Sequence, residues 1–277
     1  MLDFKPIPDR SDPAEGLDVV SQGLDDDQRY LARALADAFD SHEPLVAEAL
    51  PDLSFRQGLA VQRNVLRHHI DRGARLGGWK VGLTSGPNRD RMGTGFRPFG
   101  YILADRIRQS PATIQLADMV NCSLEPELCL VLGDELRGPC TPGEAREAVG
   151  AVCASFEVNE QRVERGVPSP ILLADDLANW GIITGEQIEP PSDDLTMTRV
   201  VFECDSVVVG DAPPGEVMMD EPYVSLSRLA SELAAFGEHL HRGDRVITGA
   251  FFREPIEKPG HWRATFDRLG TVEAIFE

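Results

Sequence analysis

Two glutamates stand two residues apart inside the otherwise apolar stretch Cys122–Leu132. Side chains alternate across a β-strand, so Glu125 and Glu127 would point to one face and the leucines of the stretch to the other. Like charges this close destabilise each other's ionised forms unless a positive charge lies between them. A hard divalent cation, which binds carboxylate oxygens, would supply that charge. The alternative is a solvated edge strand in which Pro126 interrupts the hydrogen-bonded ladder.

Two further charged residues lie in apolar surroundings. Lys80 lies within the glycine-rich stretch 77–84, where glycines permit close backbone approach. Buried lysines are uncommon without a partner, so a functional role is predicted for Lys80. Glu157 lies near the end of the apolar stretch 151–158. Alone it would be interpreted as a surface acid at a strand end, but beside the first two glutamates it becomes a candidate third metal ligand.

Asp175 belongs to a polar island that precedes a predicted strand. Two interpretations stay open from the sequence. Asp175 and Asp176 either cap a short helix or line a site. In the second case Asp175 is the candidate for orienting water or relaying a proton.

The charge balance restricts the partners of the protein. The 277 residues include 46 acids and 27 bases, for a formal net charge of −19. Such a field repels polyanions, so we expect neither nucleic-acid nor anionic-membrane binding. An anionic substrate would require positive groups that reverse this field locally.

The cysteine pattern and the apolar content favour a cytoplasmic globular protein. The five cysteines include no Cys-x-x-Cys pair, and the N-terminus lacks a basic segment followed by an apolar one. We therefore expect a cytoplasmic protein with reduced thiols. No apolar run approaches the length of a membrane span.

The first part of the chain is predicted to be a small helical unit. Residues 1–23 are rich in proline and aspartate and are expected to form an extended arm. Apolar residues at helical spacing predict one helix from Asp25 and a second from Ser54, where Ser54 and Gln57 form a capping box. We assign residues 1–75 to this N-terminal arm and helical region, and residues 76–277 to a catalytic domain.

The rest of the chain alternates short strands with helices. Thr141, Pro142 and Glu144 predict the start of a short helix, and 225–236 has an amphipathic pattern. Short apolar runs separated by turn residues predict strands beyond residue 196, the last two joined in a hairpin at 267–270. The fold class is therefore predicted to be α+β.

The order of the motifs resembles the 2-keto-4-pentenoate hydratase and 4-oxalocrotonate decarboxylase group of the fumarylacetoacetate hydrolase superfamily. The motifs are Lys80-Val-Gly, Glu125-Pro-Glu127, Phe156-Glu157-Val, Ala174-Asp175 and Ile247-Thr248-Gly249-Ala250. The resemblance implies a mixed β-roll like the C-terminal domain of that superfamily, with a small helical N-terminal region. It also implies a homo-oligomer.

The resemblance assigns roles to individual residues. It implies Mg²⁺ or Mn²⁺ bound by Glu125, Glu127 and Glu157. Lys80 would lie near the substrate and stabilise negative charge on an enolate. The implied substrate-binding residues are Leu83, Thr248 and Gly249, with Thr248 and the amides near Gly249 receiving the substrate carboxylate.

The activity implied first is that of a metal-dependent hydratase. It would add water to a 2-hydroxy-2,4-dienoate, the tautomer of a 2-oxo-enoate, and form a 4-hydroxy-2-oxo acid in the catabolism of aromatic compounds. A decarboxylase or C–C hydrolase acting on a related 2-oxo acid through the same enolate is the alternative. A non-catalytic partner subunit is the third possibility, because a fold can persist when its activity is lost.

Several positions depart from the usual pattern of this group around the substrate. The motif Asp-Phe-Gly is Pro98-Phe99-Gly100 here, and an asparagine is replaced by Asp176. The other departures are Glu221, Val224, Phe251 and Phe252. These positions leave the substrate, and the choice between the reactions, open.

Overall fold

A computed structural model describes residues 23–45, 50–86 and 89–277 of the chain. Two mixed or antiparallel β-sheets form most of the fold, and helices pack against them. The predicted α+β class and β-roll architecture are confirmed. The predicted N-terminal arm falls almost entirely on residues outside the described ranges, and the division at residue 75 stays a prediction.

The described α-helices are short to medium in length. They are α1 (Asp26–Ser41), α2 (Phe55–Asp71), α3 (Pro142–Ala148), α4 (Ser169–Ala174) and α5 (Pro222–Ala235). Among the residues that the structure describes, none of the helices combines the length and apolar composition that a membrane crossing requires.

The described strands are numbered in chain order. They are β1 (Leu76–Val81), β2 (Phe99–Leu103), β3 (Ile107–Gln109), β4 (Ala112–Ile114), β5 (Cys122–Leu132), β6 (Val149–Glu160), β7 (Asn179–Thr184), β8 (Val200–Cys204), β9 (Val207–Ala212), β10 (Arg245–Ala250), β11 (Glu254–Pro255), β12 (Gly260–Phe266) and β13 (Gly270–Phe276).

The larger sheet has the order β2-β1-β10-β5-β6-β7-β3, with β11 also paired to β5. Strand β5 is therefore an interior strand with neighbours on both sides. The ladder to β10 is irregular between Ile247 and Ala250, and the amide of Phe251 donates to the carbonyl of Pro126 at 2.9 Å. The alternative of a solvated edge strand is wrong, because β5 pairs with β10 on one side and with β6 on the other. The irregularity in the ladder to β10 accommodates Pro126.

The two faces of β5 are chemically different. Its leucines belong to the main hydrophobic core, whereas Cys129 belongs to a small separate cluster with Cys153 and Ile247. The glutamates lie at alternate positions from Cys129 along the strand and so share its face. This alternation gives the sheet a polar region at one end of a buried face.

Several local predictions agree with the structure in detail. Helices α1, α2 and α3 begin with capping boxes whose N-caps are Asp25, Ser54 and Thr141. Strands β12 and β13 form the predicted hairpin within the smaller sheet, of order β4-β13-β12-β8-β9. Tyr30 follows the helical spacing of the apolar residues in α1, but it is 72% exposed and so does not belong to the packed face.

Candidate active site

Three buried glutamates converge at one end of the larger sheet. Glu125 on β5 is the direct cross-strand partner of Glu157 on β6, and Glu127 is two residues along the same strand. A carboxylate oxygen of each lies within 4.8 Å of the other two. The structure therefore brings together all three residues predicted as metal ligands.

Each of these carboxylates has a hydrogen-bond donor that fixes its orientation. Arg253 Nη1 donates to Glu125 Oε1 at 2.8 Å, and Asn179 Nδ2 donates to Glu157 Oε1 at 2.9 Å. The backbone amide of Gly249 donates to Glu127 Oε2 at 2.8 Å. Partners of this kind orient the ligands of metal sites and support their affinity.

The electrostatics of the cluster fit a bound cation. Burial, together with the charge of Glu157, raises the pKa of Glu125 to about 7. Burial and the charges of the other two glutamates raise the pKa of Glu127 well above its ordinary value. Three neighbouring carboxylates form a site of oxygen donors that a hard divalent cation such as Mg²⁺ or Mn²⁺ would stabilise.

Lys80 lies beside this cluster on β1. Its Nζ donates to Glu157 Oε1 and, at 3.3 Å, to the carbonyl oxygen of Leu177. Burial lowers the pKa of Lys80, but the charges of Glu157 and Glu125 outweigh that effect, so its pKa lies above the ordinary value. The ammonium is therefore a permanent buried positive charge at the edge of the glutamate cluster.

A cavity of about 1050 Å³ opens beside Lys80 and the three glutamates. Its other positive side chains are Arg91, Arg165 and Arg253, all of which are solvent-exposed. The lining also contains four acids, the three glutamates and Glu257, so these cations balance the local negative charge, and a bound divalent cation would make the cavity positive. An anionic substrate would meet positive charge at both the inner and the outer part of this cavity.

Two polar side chains in the cavity are prominent because they lack protein partners. Ser123 and Asn159 line the cavity and are cross-strand partners on β5 and β6. Among the described residues, Ser123 Oγ and Asn159 Nδ2 are buried without a hydrogen-bond partner. Buried polar atoms without partners are costly, so both atoms are suited to bind substrate or water.

Of the three predicted substrate-binding residues, two line the cavity and one does not. Leu83 and Gly249 line the cavity, whereas the backbone oxygen of Thr248 accepts a hydrogen bond from Thr84 Oγ1 at 2.6 Å. Thr248 itself does not line the cavity. The amide of Gly249 is directed to Glu127, so in this structure it orients a metal ligand.

Asp175 is not brought together with the other predicted site residues. It ends α4 and accepts a hydrogen bond from Arg162 Nε at 2.8 Å, and it does not line the cavity. Asp176, its neighbour, is nearer to the site, since its charge acts on Lys80. Asp176, Leu177 and Ala178 all have positive φ angles, a strained conformation that concentrates at functional sites.

The positions that depart from the family pattern divide into two groups. Phe251 and Phe252 line the cavity, and Asp176 lies near it, with its charge acting on Lys80. Glu221 caps α5 by accepting a hydrogen bond from the amide of Val224 at 2.9 Å, and the carbonyl of Pro98 accepts one from Gly82 at 2.7 Å. Glu221, Val224 and Pro98 therefore support the backbone around the site.

Sequence reasoning did not single out the arginines, Ser123 or the asparagines of the site. Asn159 and Ser123 could have been found, because each lies two residues from a glutamate on the same strand and so shares its face. Arg91, Arg165 and Arg253 come from separate loops, and their convergence carries no local sequence signal.

Known proteins share both the sequence and the fold. A 4-oxalocrotonate decarboxylase of a Pseudomonas species is 30% identical over 223 residues, which is 79% of this chain and 86% of that protein. This chain belongs to the 2-keto-4-pentenoate hydratase and 4-oxalocrotonate decarboxylase group of the fumarylacetoacetate hydrolase superfamily. No family model matches the chain.

Other members of the group extend the likeness to a hydratase and to a solved structure. The 2-oxo-hept-4-ene-1,7-dioate hydratase of Escherichia coli is 26% identical, covering 89% of this chain and 96% of that protein. The 4-oxalocrotonate decarboxylase of Pseudomonas putida G7, solved with magnesium and adipate, has a TM-score of 0.82 and 26% identity, covering 90% of this chain and 97% of that one. The predicted membership of this enzyme group is confirmed.

Proposed function

We propose that the protein is a metal-dependent hydro-lyase that adds water to a 2-hydroxy-2,4-dienoate and forms a 4-hydroxy-2-oxo acid. The observation that carries this proposal is the convergence of Glu125, Glu127 and Glu157 beside the buried ammonium of Lys80, in a cavity lined by arginines. Membership of a group that contains hydratases and decarboxylases supports it.

The three glutamates would hold Mg²⁺ or Mn²⁺. When bound, the cation would supply Lewis acidity toward the carboxylate and 2-oxygen of a 2-oxo acid. The fit rests on oxygen donors alone, which suit these hard cations better than they suit zinc.

The protein's own residues would divide the remaining tasks. The substrate loses the proton of its 2-hydroxyl group and gains one at C5, which leaves a 2-oxo-3-enoate. Lys80 Nζ would stabilise the negative charge that develops on the 2-oxygen during this transfer. Water then adds across C3 and C4, and Asn159 and Ser123 would orient it through their unpartnered polar atoms.

The arginines of the cavity also predict which group the far end of the substrate carries. A substrate with a carboxylate at its far end would pair with Arg91 or Arg165, because these cations line the cavity, whereas Arg253 is already bound to Glu125. Dicarboxylates are named for two members of the group that resemble this chain. We therefore expect dienoates with a terminal carboxylate to be preferred over those without one.

Decarboxylation is the second candidate, favoured by the same arginines and by the resemblance to 4-oxalocrotonate decarboxylases. Loss of CO₂ from a 2-oxo dicarboxylate leaves the same type of dienolate, which Lys80 would stabilise in the same way. Hydrolysis of a C–C bond in a related 2-oxo acid remains a further alternative with this enolate chemistry.

We also propose that the chain acts as a homo-oligomer in the cytoplasm. All five cysteines are free thiols in the structure, which supports a reducing compartment. Strand β9 lies at the edge of the smaller sheet and exposes three successive valines, Val207, Val208 and Val209. An apolar edge of this kind is suited to a contact with another subunit.

The deciding experiment follows turnover of a series of 2-hydroxydienoates, with and without a terminal carboxylate, in the presence of Mg²⁺ or Mn²⁺. We expect metal-dependent loss of dienoate absorbance with formation of the 4-hydroxy-2-oxo acid, and no turnover by Glu127→Gln. Release of CO₂ from a 2-oxo dicarboxylate without hydration would establish the decarboxylase instead. Full metal dependence of thermal stability with no turnover of any of these acids would favour a non-catalytic partner subunit.

A further inference from the structure

A second group of metal-binding side chains lies at the ends of β5 and β10 that are remote from the glutamate cluster. Glu135, His239 and His241 each present a ligand atom, and these atoms all lie within 4.8 Å of one another. Glu135 follows the end of β5, and the histidines precede the start of β10. None of the three lines the substrate cavity.

A backbone bridge explains why these side chains meet. Leu136 and Leu240 form an antiparallel bridge, in which each amide donates to the other's carbonyl at 3.0 and 3.1 Å. Both leucines are buried, so the residues on either side of them point to the opposite face. Glu135, His239 and His241 are such flanking residues and therefore share that face.

The segment that carries the histidines is held at both of its ends. Glu238 forms an ion pair with the buried Arg63. Asp244 Oδ2 accepts hydrogen bonds from Trp79 Nε1 at 3.3 Å and from the amide of His241 at 3.0 Å. The imidazoles are thus presented by a backbone that is already ordered, which reduces the entropy lost on binding.

The local contacts of His239 and Glu135 favour the binding of a cation. The rings of His239 and His241 lie with centroids 4.0 Å apart, and His239 Nε2 is buried without a hydrogen-bond partner among the described residues. Glu135 pairs with Arg137 at 2.5 Å, but both side chains are exposed, at 41% and 71%. An exposed pair contributes little, so the carboxylate can turn toward a metal at small cost.

We propose that Glu135, His239 and His241 form a second metal site, selective for a borderline transition-metal cation such as Zn²⁺. Two imidazoles and one carboxylate, with a position left for water, are a typical zinc ligand set. The glutamate cluster offers oxygen atoms alone and suits Mg²⁺ or Mn²⁺. The two sites therefore differ in metal preference, and the second would tie together the segments that follow β5 and precede β10.

The first test uses Co²⁺ as a spectroscopic substitute for Zn²⁺ in the full chain. A four-coordinate site with histidine ligands gives intense visible absorption, whereas a six-coordinate oxygen site absorbs weakly. We expect intense bands that Zn²⁺ abolishes by displacement and Mg²⁺ does not. We expect the double variant His239→Ala/His241→Ala to lose these bands. In Glu135→Gln the affinity for Co²⁺ should fall by about tenfold or more, because loss of even a hydrogen-bond partner of a metal ligand has an effect of that size.

The matched control is His261→Ala, which removes a partly exposed histidine that pairs with Glu273 elsewhere on the surface. It should bind Co²⁺ and Zn²⁺ as the wild type does. Weak bands alone in the wild type, or intense bands that persist in the double variant, would overturn the proposal. The single variant His239→Gln replaces the double variant in this comparison if the latter does not fold.

Thermal unfolding supplies a second readout that is independent of turnover. Zn²⁺ should raise the melting temperature of the wild type and of His261→Ala more than that of the double variant, which keeps only the glutamate cluster, while Mg²⁺ should stabilise all three equally. Equal stabilisation of the double variant by Zn²⁺ would contradict the proposal. Because the Co²⁺ spectrum requires no substrate, the second site is tested even if the proposed hydratase activity fails.

Discussion

At the scale of single residues, Lys80 is the group whose charge the site depends on. It is the positive side chain buried against the glutamate cluster, with Glu157 as its ion-pair partner. We expect Lys80→Ala to lower kcat by about 10²- to 10³-fold, the usual cost of losing one donor to a developing oxyanion. The measurement is turnover of the preferred dienoate at saturating Mg²⁺.

Lys258→Ala is the control, since it removes the same charge from an exposed position. It should turn over at the wild-type rate. A Lys80→Ala enzyme that retains wild-type kcat while binding metal normally would show that the ammonium does not assist the reaction.

Gly249 carries a second prediction at this scale. Its φ is 139°, and a Cβ there would lie 2.1 Å from Thr84 Oγ1. Gly249→Ala should therefore destabilise the fold by about 1–3 kcal/mol, the range for a strained backbone position. It should also weaken Mg²⁺ binding, because the Gly249 amide orients Glu127.

Urea unfolding and Mg²⁺ titration measure the two effects. Gly138→Ala is the control, because a Cβ at Gly138 meets no atom within 4 Å. Unfolding curves that coincide for Gly249→Ala and Gly138→Ala would contradict the steric explanation.

At the scale of elements, the packing of α2 against its neighbours depends on a neutral histidine. His69 on α2 is buried, with its ring 4.7 Å from that of Phe39 on α1 and 6.1 Å from that of Tyr101 on β2. Burial is the main reason that its pKa falls from 6.5 to about 4, although the charge of Asp40 acts in the opposite direction.

This pKa difference makes stability depend on pH with a definite sign. Between about pH 6.5 and 4 the unfolded chain binds a proton at His69 and the folded chain does not. Stability should therefore fall as the pH is lowered through this range, by at most about 3 kcal/mol from this residue.

Urea unfolding of His69→Phe across the same pH range checks the contribution. The variant should lose less stability on acidification than the wild type, because phenylalanine keeps the ring packing and cannot bind a proton. Parallel curves for His69→Phe and wild type would refute the assignment.

At the scale of the whole molecule, three surfaces differ in charge and polarity. The chain carries a net charge of −19, yet the cavity gathers Lys80, Arg91, Arg165 and Arg253. The acidic exterior favours solubility, and the cations of the cavity, which balance its four glutamates, would attract an anionic substrate once a divalent cation is bound. The three exposed valines at the start of the edge strand β9 form a third surface, which is apolar.

This edge strand is where the proposed oligomer can be tested. Val208 is 55% exposed, and Val208→Lys would place a charge on a contact between subunits. We expect the variant to shift the mass measured by light scattering toward the monomer, with its circular dichroism unchanged. Val208→Thr, which keeps the branched shape without a charge, should retain the wild-type mass. An unchanged mass for Val208→Lys would place the contact elsewhere.

Local patterns in the sequence determined much of the fold and the inner part of the site. Capping residues and helical periodicity located α1, α2 and α3, because both act within one or two turns of chain. The alternation of a strand likewise placed Glu125 and Glu127 on one face. The ordered motifs indicated the family, and with it Glu157 and Lys80.

Tertiary structure alone decided which residues meet across long separations. The pairing of β5 with β6 placed Glu157 opposite Glu125. Pairing with β10 on the other side made β5 an interior strand, and the irregular ladder between these two strands accommodates Pro126. The arginines of the cavity, the separation of Asp175 from it and the Glu135–His239–His241 group likewise depend on contacts between distant segments. Sequence periodicity reports the face of an element, whereas its neighbours are set by packing of the whole chain, and this is why the glutamate pair was predictable and its surroundings were not.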